Sequence, residues 1–141
     1  MELRIRLFVA ICFFLLKGPA TLASTYSCHQ NNVDVQFTLS IATHSASNPA
    51  SNCYVQQCNV TSTGNNTCSL PPAPCFNYLS INNVSYCAPG VQCSVLELCD
   101  NVTNTCSSNN SICIVNSCCS PTAVCLPLSV TNFCPPGRHR R

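Results

Sequence analysis

Cysteine most constrains what this chain can fold into, because fifteen of its 141 residues are cysteines. Cys12 lies in the N-terminal apolar segment, and the remaining number is even, as complete pairing requires. This composition is typical of secreted scaffolds in which cross-links replace a large hydrophobic core. The sequence therefore predicts a small disulfide-rich fold that unfolds on reduction. The disulfide candidates are Cys28, Cys53, Cys58, Cys68, Cys75, Cys87, Cys93, Cys99, Cys106, Cys113, Cys118, Cys119, Cys125 and Cys134.

The first 23 residues have the layout of a cleavable secretory signal peptide. Arg4 and Arg6 precede an apolar run, and small residues follow it. We expect cleavage after Ala23, with Ala20 as the alternative. The apolar run is about half of the ~20 residues that a transmembrane helix needs, and no later stretch is apolar enough. The sequence thus predicts a secreted, extracellular product with no membrane span after signal cleavage.

Charged residues are nearly absent from the segment that is expected to fold. The whole chain has a formal net charge of +2, but residues 24–137 contain no Lys or Arg and only three acids. Nucleic-acid binding and electrostatic membrane binding both need clustered cations, so neither is expected. Solubility is expected to come from sugars on the Asn-x-Ser/Thr sequons. The N-glycosylation candidates are Asn59, Asn65, Asn83, Asn101 and Asn109.

The expected fold class is short β-strands and loops with little helix. Apolar and polar residues alternate from Val33 to Ile41, which predicts a half-buried strand within an N-terminal segment of residues 24–52. A turn at residues 31–32 and a loop over residues 44–52 should flank this strand. The cysteine-rich region spans residues 53–134, and ten prolines in the chain disfavour long helices. Residues 135–141 form a basic C-terminal tail.

The cysteine spacing suggests two degenerate repeats, at residues 53–93 and 93–134. The string Asn66-Thr67-Cys68-Ser69 matches Asn104-Thr105-Cys106-Ser107, and both are followed by a cysteine at the same interval. A duplicated scaffold and a chance pattern in an Asn/Ser/Thr-rich chain both remain open at this point.

The last six cysteines, from Cys106 to Cys134 with an adjacent pair in the middle, resemble the spacing of the inhibitor cystine knot, or knottin, family. The resemblance implies the pairing Cys106 with Cys119, Cys113 with Cys125, and Cys118 with Cys134. Adding Cys93 and Cys99 gives an order similar to the whey-acidic-protein four-disulfide core. Its inhibitory loop would then correspond to residues 100–102, which are acidic and overlap a sequon. The knottin resemblance implies a protease inhibitor or a channel modulator, and the four-disulfide-core resemblance implies a protease inhibitor.

Catalysis, metal binding and cofactors are not expected. His29 beside Cys28 is a poor catalytic pair, because the cysteine should be bridged in an oxidising compartment. Glu97 and Asp100 are three residues apart and are interpreted as solubilising surface acids. Metal sites favour closely spaced C-x-C or C-x2-C ligands, and neither spacing occurs. We expect an extracellular binding or structural protein whose partner is a protein or a carbohydrate. The alternative is a knottin-like or four-disulfide-core-like inhibitor or channel modulator.

Overall fold

The computed structural model describes residues 25–30, 33–39, 43–58, 68–69 and 73–134. Within these ranges the chain forms short strands, which pair antiparallel, and three short 3-10 turns. No helix among these residues is long and apolar enough to cross a bilayer. The predicted fold class is therefore confirmed. The strands are β1 Thr25–Gln30, β2 Val33–Thr38, β3 Ser47–Asn48, β4 Cys53–Tyr54, β5 Cys75–Leu79, β6 Ser85–Pro89, β7 Glu97–Leu98, β8 Ser111–Ile114 and β9 Val124–Pro127, and the turns are Pro49–Ser51, Cys93–Val95 and Leu128–Phe133.

An N-terminal hairpin contains the predicted strand. β2 pairs with β1, and Gln30 lies opposite Val33, so only residues 31–32 connect the two strands. Those two residues, where a turn was predicted, and residues 40–42 lie outside the described ranges. The prediction of a half-buried strand holds for Val35 and Phe37, whereas Val33 is 60% exposed. β2 ends at Thr38, short of the predicted end.

The prediction of a plain loop over residues 44–52 is wrong. Ser47 and Asn48 form β3, which pairs with β4, and the turn Pro49–Ser51 connects the two. The side chain of Asn48 accepts a hydrogen bond from the Ala50 N–H, and Pro49 occupies a first helical position that suits it. Asn52 then takes a left-handed conformation with φ 52°, which asparagine tolerates better than most residues. Turn-forming residues therefore build a small hairpin here.

The core lies where the β5–β6 hairpin meets the three-stranded sheet, whose order is β7-β9-β8. An isolated bridge joins Ser80 to Ile114, and the Val115 N–H donates to the Leu79 carbonyl at 2.8 Å. β5 is thereby joined to β8. Tyr26 of the N-terminal hairpin packs edge-on against Phe76, with 5.2 Å between ring centroids. The fully enclosed apolar side chains at this junction are Phe76, Tyr78, Ala88, Ile114, Val124 and Leu126.

A buried hydroxyl pair ties the 44–48 segment to this core. The Ser45 Oγ and the Tyr78 hydroxyl lie 2.6 Å apart, and the Val91 N–H donates to the Ser45 Oγ at 2.8 Å. Ser45 and Tyr78 are both completely buried. Burial raises the pKa of Tyr78, so its hydroxyl keeps its proton and can donate over the whole physiological range. Each polar group in this set therefore has a partner.

All fourteen candidate cysteines are paired. Cys53–Cys118 and Cys75–Cys134 connect the two proposed repeats, so the cysteine-rich region is cross-linked from end to end. The duplication itself stays a prediction. The seven disulfides are Cys28–Cys68, Cys53–Cys118, Cys58–Cys87, Cys75–Cys134, Cys93–Cys119, Cys99–Cys113 and Cys106–Cys125.

The pairing implied by the knottin resemblance is not the pairing in the structure. Cys106 bonds to Cys125 and not to Cys119, and the adjacent Cys118 and Cys119 bond to partners upstream of the knottin-like segment. The physical reason lies in the surrounding chain. Cys118 is held beside β4, because its N–H donates to the Ser45 carbonyl at 2.8 Å and Cys53 begins β4. The last six cysteines are thus part of a larger framework.

Candidate functional site

The candidate site is an open groove between the turn of the β5–β6 hairpin and the segment that leads into β8. Its volume is about 330 Å³, near the lower limit for small-molecule sites. The described residues that line it are all uncharged. The amide and hydroxyl side chains of the lining are Ser80, Asn82, Tyr86, Asn104, Thr105, Ser108, Asn109 and Ser111.

The hairpin turn forms one wall of the groove. The Ile81 N–H donates to the Cys113 carbonyl at 3.1 Å, which fixes the turn against β8. Within the turn, the Ser80 N–H donates to the Val84 carbonyl, and the Ser80 Oγ accepts from the Val84 N–H. Asn83 has a positive φ of 59°, a conformation in which asparagine is enriched. The local sequence therefore favours this tight turn.

Asp100 organises the other wall. Its N–H donates to the Thr105 carbonyl at 3.0 Å, and its carbonyl accepts from the Asn104 N–H at 2.9 Å. Its carboxylate accepts hydrogen bonds from the Thr103 N–H, the Thr103 hydroxyl and the Val102 N–H, in that order of effect, and these lower the pKa of Asp100. The acid predicted as a surface solubiliser thus also shapes a turn.

A four-sulfur cluster lies beneath the groove, and we define it as the Sγ atoms of Cys99, Cys106, Cys113 and Cys125. All four sulfurs lie within 4.8 Å of one another. The register of the sheet brings them together, because Cys113 and Cys125 are opposite each other across β8 and β9. Cys106 and Cys113 also line the groove. Each sulfur is bonded to another sulfur, whereas a metal centre would need free thiolates.

These features define a small disulfide-rich β protein with an uncharged surface groove. Extensive disulfides of this kind are typical of secreted or extracellular proteins. No protein-family model, curated protein or solved structure matches the chain.

The structure describes three of the five predicted glycosylation sites. Asn83, Asn101 and Asn109 are all exposed, as an attached sugar requires. Asn83 lies in the groove's hairpin turn and Asn109 lines the groove itself. Asn59 and Asn65 lie outside the described residues, as do the predicted cleavage site at Ala23 and the basic tail.

The residues considered as weak catalytic candidates lie in unrelated environments. Cys28 is bonded to Cys68, and the neighbouring His29 Nδ1 lies 2.9 Å from an oxygen of Asp34. Glu97 accepts a hydrogen bond from the Ser107 hydroxyl at 3.0 Å and lies in β7. None of these side chains is among the described residues that line the groove.

Sequence reasoning missed the groove residues. Tyr86 has no periodic pattern around it, Asn82 and Asn104 belong to residue types that recur along the whole chain, and Asn109 was predicted only as a glycosylation site. One usable signal is present, since Asn104-Thr105-Cys106 belongs to the repeated string. It was interpreted as a trace of duplication and not as a binding surface.

His44 gives a testable pH dependence. Its ring is buried, its Nδ1 accepts a hydrogen bond from the Ala46 N–H at 3.2 Å, and its Nε2 has no described partner. Burial lowers the pKa of His44 below its ordinary value of about 6.5. The folded state therefore binds fewer protons than the unfolded state, so His44 contributes stability above about pH 6.5 that is lost as the pH falls below it.

We expect the free energy of unfolding of the wild-type protein to fall between pH 7 and pH 5. His44→Asn keeps a hydrogen-bond acceptor but has no titrating ring, so its decline should be shallower. Denaturant unfolding at a series of pH values, with disulfides intact, measures this difference. His29→Asn is the matched control, because His29 lies in the N-terminal hairpin, where its Nδ1 contacts Asp34. An equal change of slope in both variants would contradict the assignment.

Proposed function

We propose that this chain is a secreted, N-glycosylated extracellular protein that binds a neutral carbohydrate in the groove. The observation that carries the proposal is the groove's lining, which combines amide and hydroxyl side chains with one tyrosine ring and no charge. The role is binding and not catalysis, because none of the described lining side chains is a histidine, acid or free thiol suited to general acid–base or nucleophilic chemistry.

Carbohydrate suits this groove better than a charged ligand does. Burying a charged group without a partner is costly, and no cation or anion is available among the described lining residues. Asn amides donate and accept, and Thr and Ser hydroxyls do the same, which matches the alternating donors and acceptors of a sugar. Tyr86 adds an apolar ring with a polar end, which can stack on the less polar face of a sugar ring.

Secretion is supported by the disulfides and by the N-terminal signal pattern. Disulfide-rich frameworks of this density persist in oxidising compartments. The exposed sequons Asn83, Asn101 and Asn109 support glycosylation. The knottin-like inhibitor alternative gains no support from the disulfides, since Cys106, Cys113 and Cys118 have other partners than the resemblance implied.

The test is a binding screen on protein recovered from the culture medium of cells that express the full chain. Removal of N-glycans should lower its mass on a gel. The purified protein is then titrated with a panel of neutral oligosaccharides. We expect Tyr86→Ala to weaken binding about tenfold or more, which corresponds to about 1.4 kcal/mol. Tyr54→Ala is the matched control, because Tyr54 is 48% exposed in β4 and is not among the residues that line the groove.

The sequon at Asn109 requires its own control. A sugar on this residue would lie at the groove and compete with an added ligand, so Asn109→Gln should bind at least as tightly as the wild type. The substitution keeps an amide while it removes the sequon. Absence of binding to every neutral saccharide by both proteins, or equal losses in the two tyrosine variants, would contradict the proposal.

A further inference from the structure

The two disulfides of the four-sulfur cluster lie in contact with each other. Between them, the Sγ atoms of Cys99 and Cys125 are 3.5 Å apart, and those of Cys106 and Cys113 are 3.6 Å apart. These separations are close to the ~3–3.5 Å at which reacting atoms are aligned for attack. Exchanging partners would therefore convert Cys99–Cys113 and Cys106–Cys125 into Cys99–Cys125 and Cys106–Cys113 through small movements of sulfur atoms.

We propose that the four-sulfur cluster is a thiol–disulfide exchange site, at which a small monothiol such as reduced glutathione interconverts these two pairings. The groove supplies the entrance. Cys106 lines it and is half-buried, whereas Cys99, Cys113 and Cys125 are each at most 6% exposed. An incoming thiol therefore reaches Cys106 first. This inference is independent of the carbohydrate proposal, because it uses the groove only as an access route.

The exchange is balanced at each step. The external thiolate attacks the Cys106 sulfur, which forms a mixed disulfide on Cys106 and releases the Cys125 thiolate. That thiolate attacks Cys99, forms Cys99–Cys125 and releases the Cys113 thiolate. The Cys113 thiolate then attacks Cys106, forms Cys106–Cys113 and expels the external thiolate. Two disulfides are broken and two are formed, so the thiol is a catalyst and no oxidant or reductant is consumed.

The experiment uses the secreted wild-type protein under native conditions without oxygen. It is incubated at mildly alkaline pH with reduced glutathione, quenched with acid at intervals, and digested with pepsin at low pH to prevent further exchange. Tandem mass spectrometry then maps the disulfides. We expect peptides that link Cys99 to Cys125 and Cys106 to Cys113 to rise to a plateau. Tenfold more glutathione should make this rise about tenfold faster and leave the plateau unchanged, because a catalyst alters only the rate.

The Cys53–Cys118 disulfide is the internal control, because its sulfurs are not in the four-sulfur cluster. Cys53 is half-buried like Cys106, so glutathione can reach this bond, but its sulfurs belong to no cluster of close sulfurs among the described residues, and its original pairing should be regained after each attack. In the variant with Cys99→Ser and Cys113→Ser, the released Cys125 thiolate can attack only the mixed disulfide on Cys106, which reverses the first step, so no new pairing within the protein should form. If that variant is not secreted, the wild-type time course by itself tests the proposal. Glutathione retained on Cys106 without new pairing, no reaction, or scrambling of Cys53–Cys118 at the same rate would each overturn the proposal.

Discussion

Complete reduction of the disulfides is expected to unfold this protein at neutral pH. The sheets formed by the described residues contain two or three short strands each, and an isolated two-stranded hairpin is marginally stable at best in water. The apolar core is small, so the cross-links carry a large share of the stability. Backbone amides of β2, β5 and β6 should exchange slowly in the oxidised protein and rapidly after reduction. Slow exchange that persists in the fully reduced and alkylated chain would contradict this.

Removal of a single disulfide measures how much one cross-link contributes to the free energy of unfolding. Cys53–Cys118 closes a sequence separation of 65 residues, for which chain entropy alone would give about 4 kcal/mol. The other disulfides shorten this loop, because the route through Cys58–Cys87 and Cys93–Cys119 contains about a dozen residues. We therefore expect the variant with Cys53→Ala and Cys118→Ala to lose about 3 kcal/mol in the free energy of unfolding. Denaturant titration without reductant measures this loss, and an unchanged midpoint would show that the cross-link adds nothing.

The sequence predicted the class of fold but not the disulfide pairing. Fourteen cysteines and few helix formers were enough to predict short strands, disulfides and loops, and alternation was enough to predict β2. Which cysteines pair depends on which strands become neighbours in the fold. The turns that place those strands side by side cannot be identified from single residues of the sequence. Cys118 illustrates the point. Its N–H donates to the Ser45 carbonyl, and its partner Cys53 lies nearby because β4 pairs with β3, which begins two residues after Ser45.

The candidate site was harder to predict than the fold for a related reason. Its polar side chains come from two segments, one around Asn82 and one around Asn104, that become neighbours only when the hairpin turn pairs with β8. Asn and Ser are so frequent in this chain that neither segment differs from the background. Cys106 belongs to both features that the sequence did not predict, since it lines the groove and is also part of the four-sulfur cluster.

Ser45→Ala is expected to be the most destabilising single substitution of a polar residue in the core. It removes the acceptor of the partly buried Val91 N–H and the partner of the fully buried Tyr78 hydroxyl. An unsatisfied buried polar group costs about 1–3 kcal/mol, and the Tyr78 hydroxyl retains a long contact of 3.5 Å to the Pro89 carbonyl. We expect a loss of about 2–4 kcal/mol in the free energy of unfolding, measured by denaturant titration with intact disulfides.

Three further variants test whether this loss comes from the unsatisfied hydrogen bonds. Tyr78→Phe removes one hydroxyl and leaves the Val91 N–H bonded to Ser45, so it should cost less, about 1 kcal/mol. In the double variant the tyrosine hydroxyl is no longer orphaned, so the combined loss should be smaller than the sum of the single losses. Ser51→Ala is the matched control, because its hydroxyl bonds to the Asn48 carbonyl at an exposed position. If the losses in Ser45→Ala and Ser51→Ala were equal, the buried hydroxyl pair would not stabilise the junction between the 44–48 segment and the core.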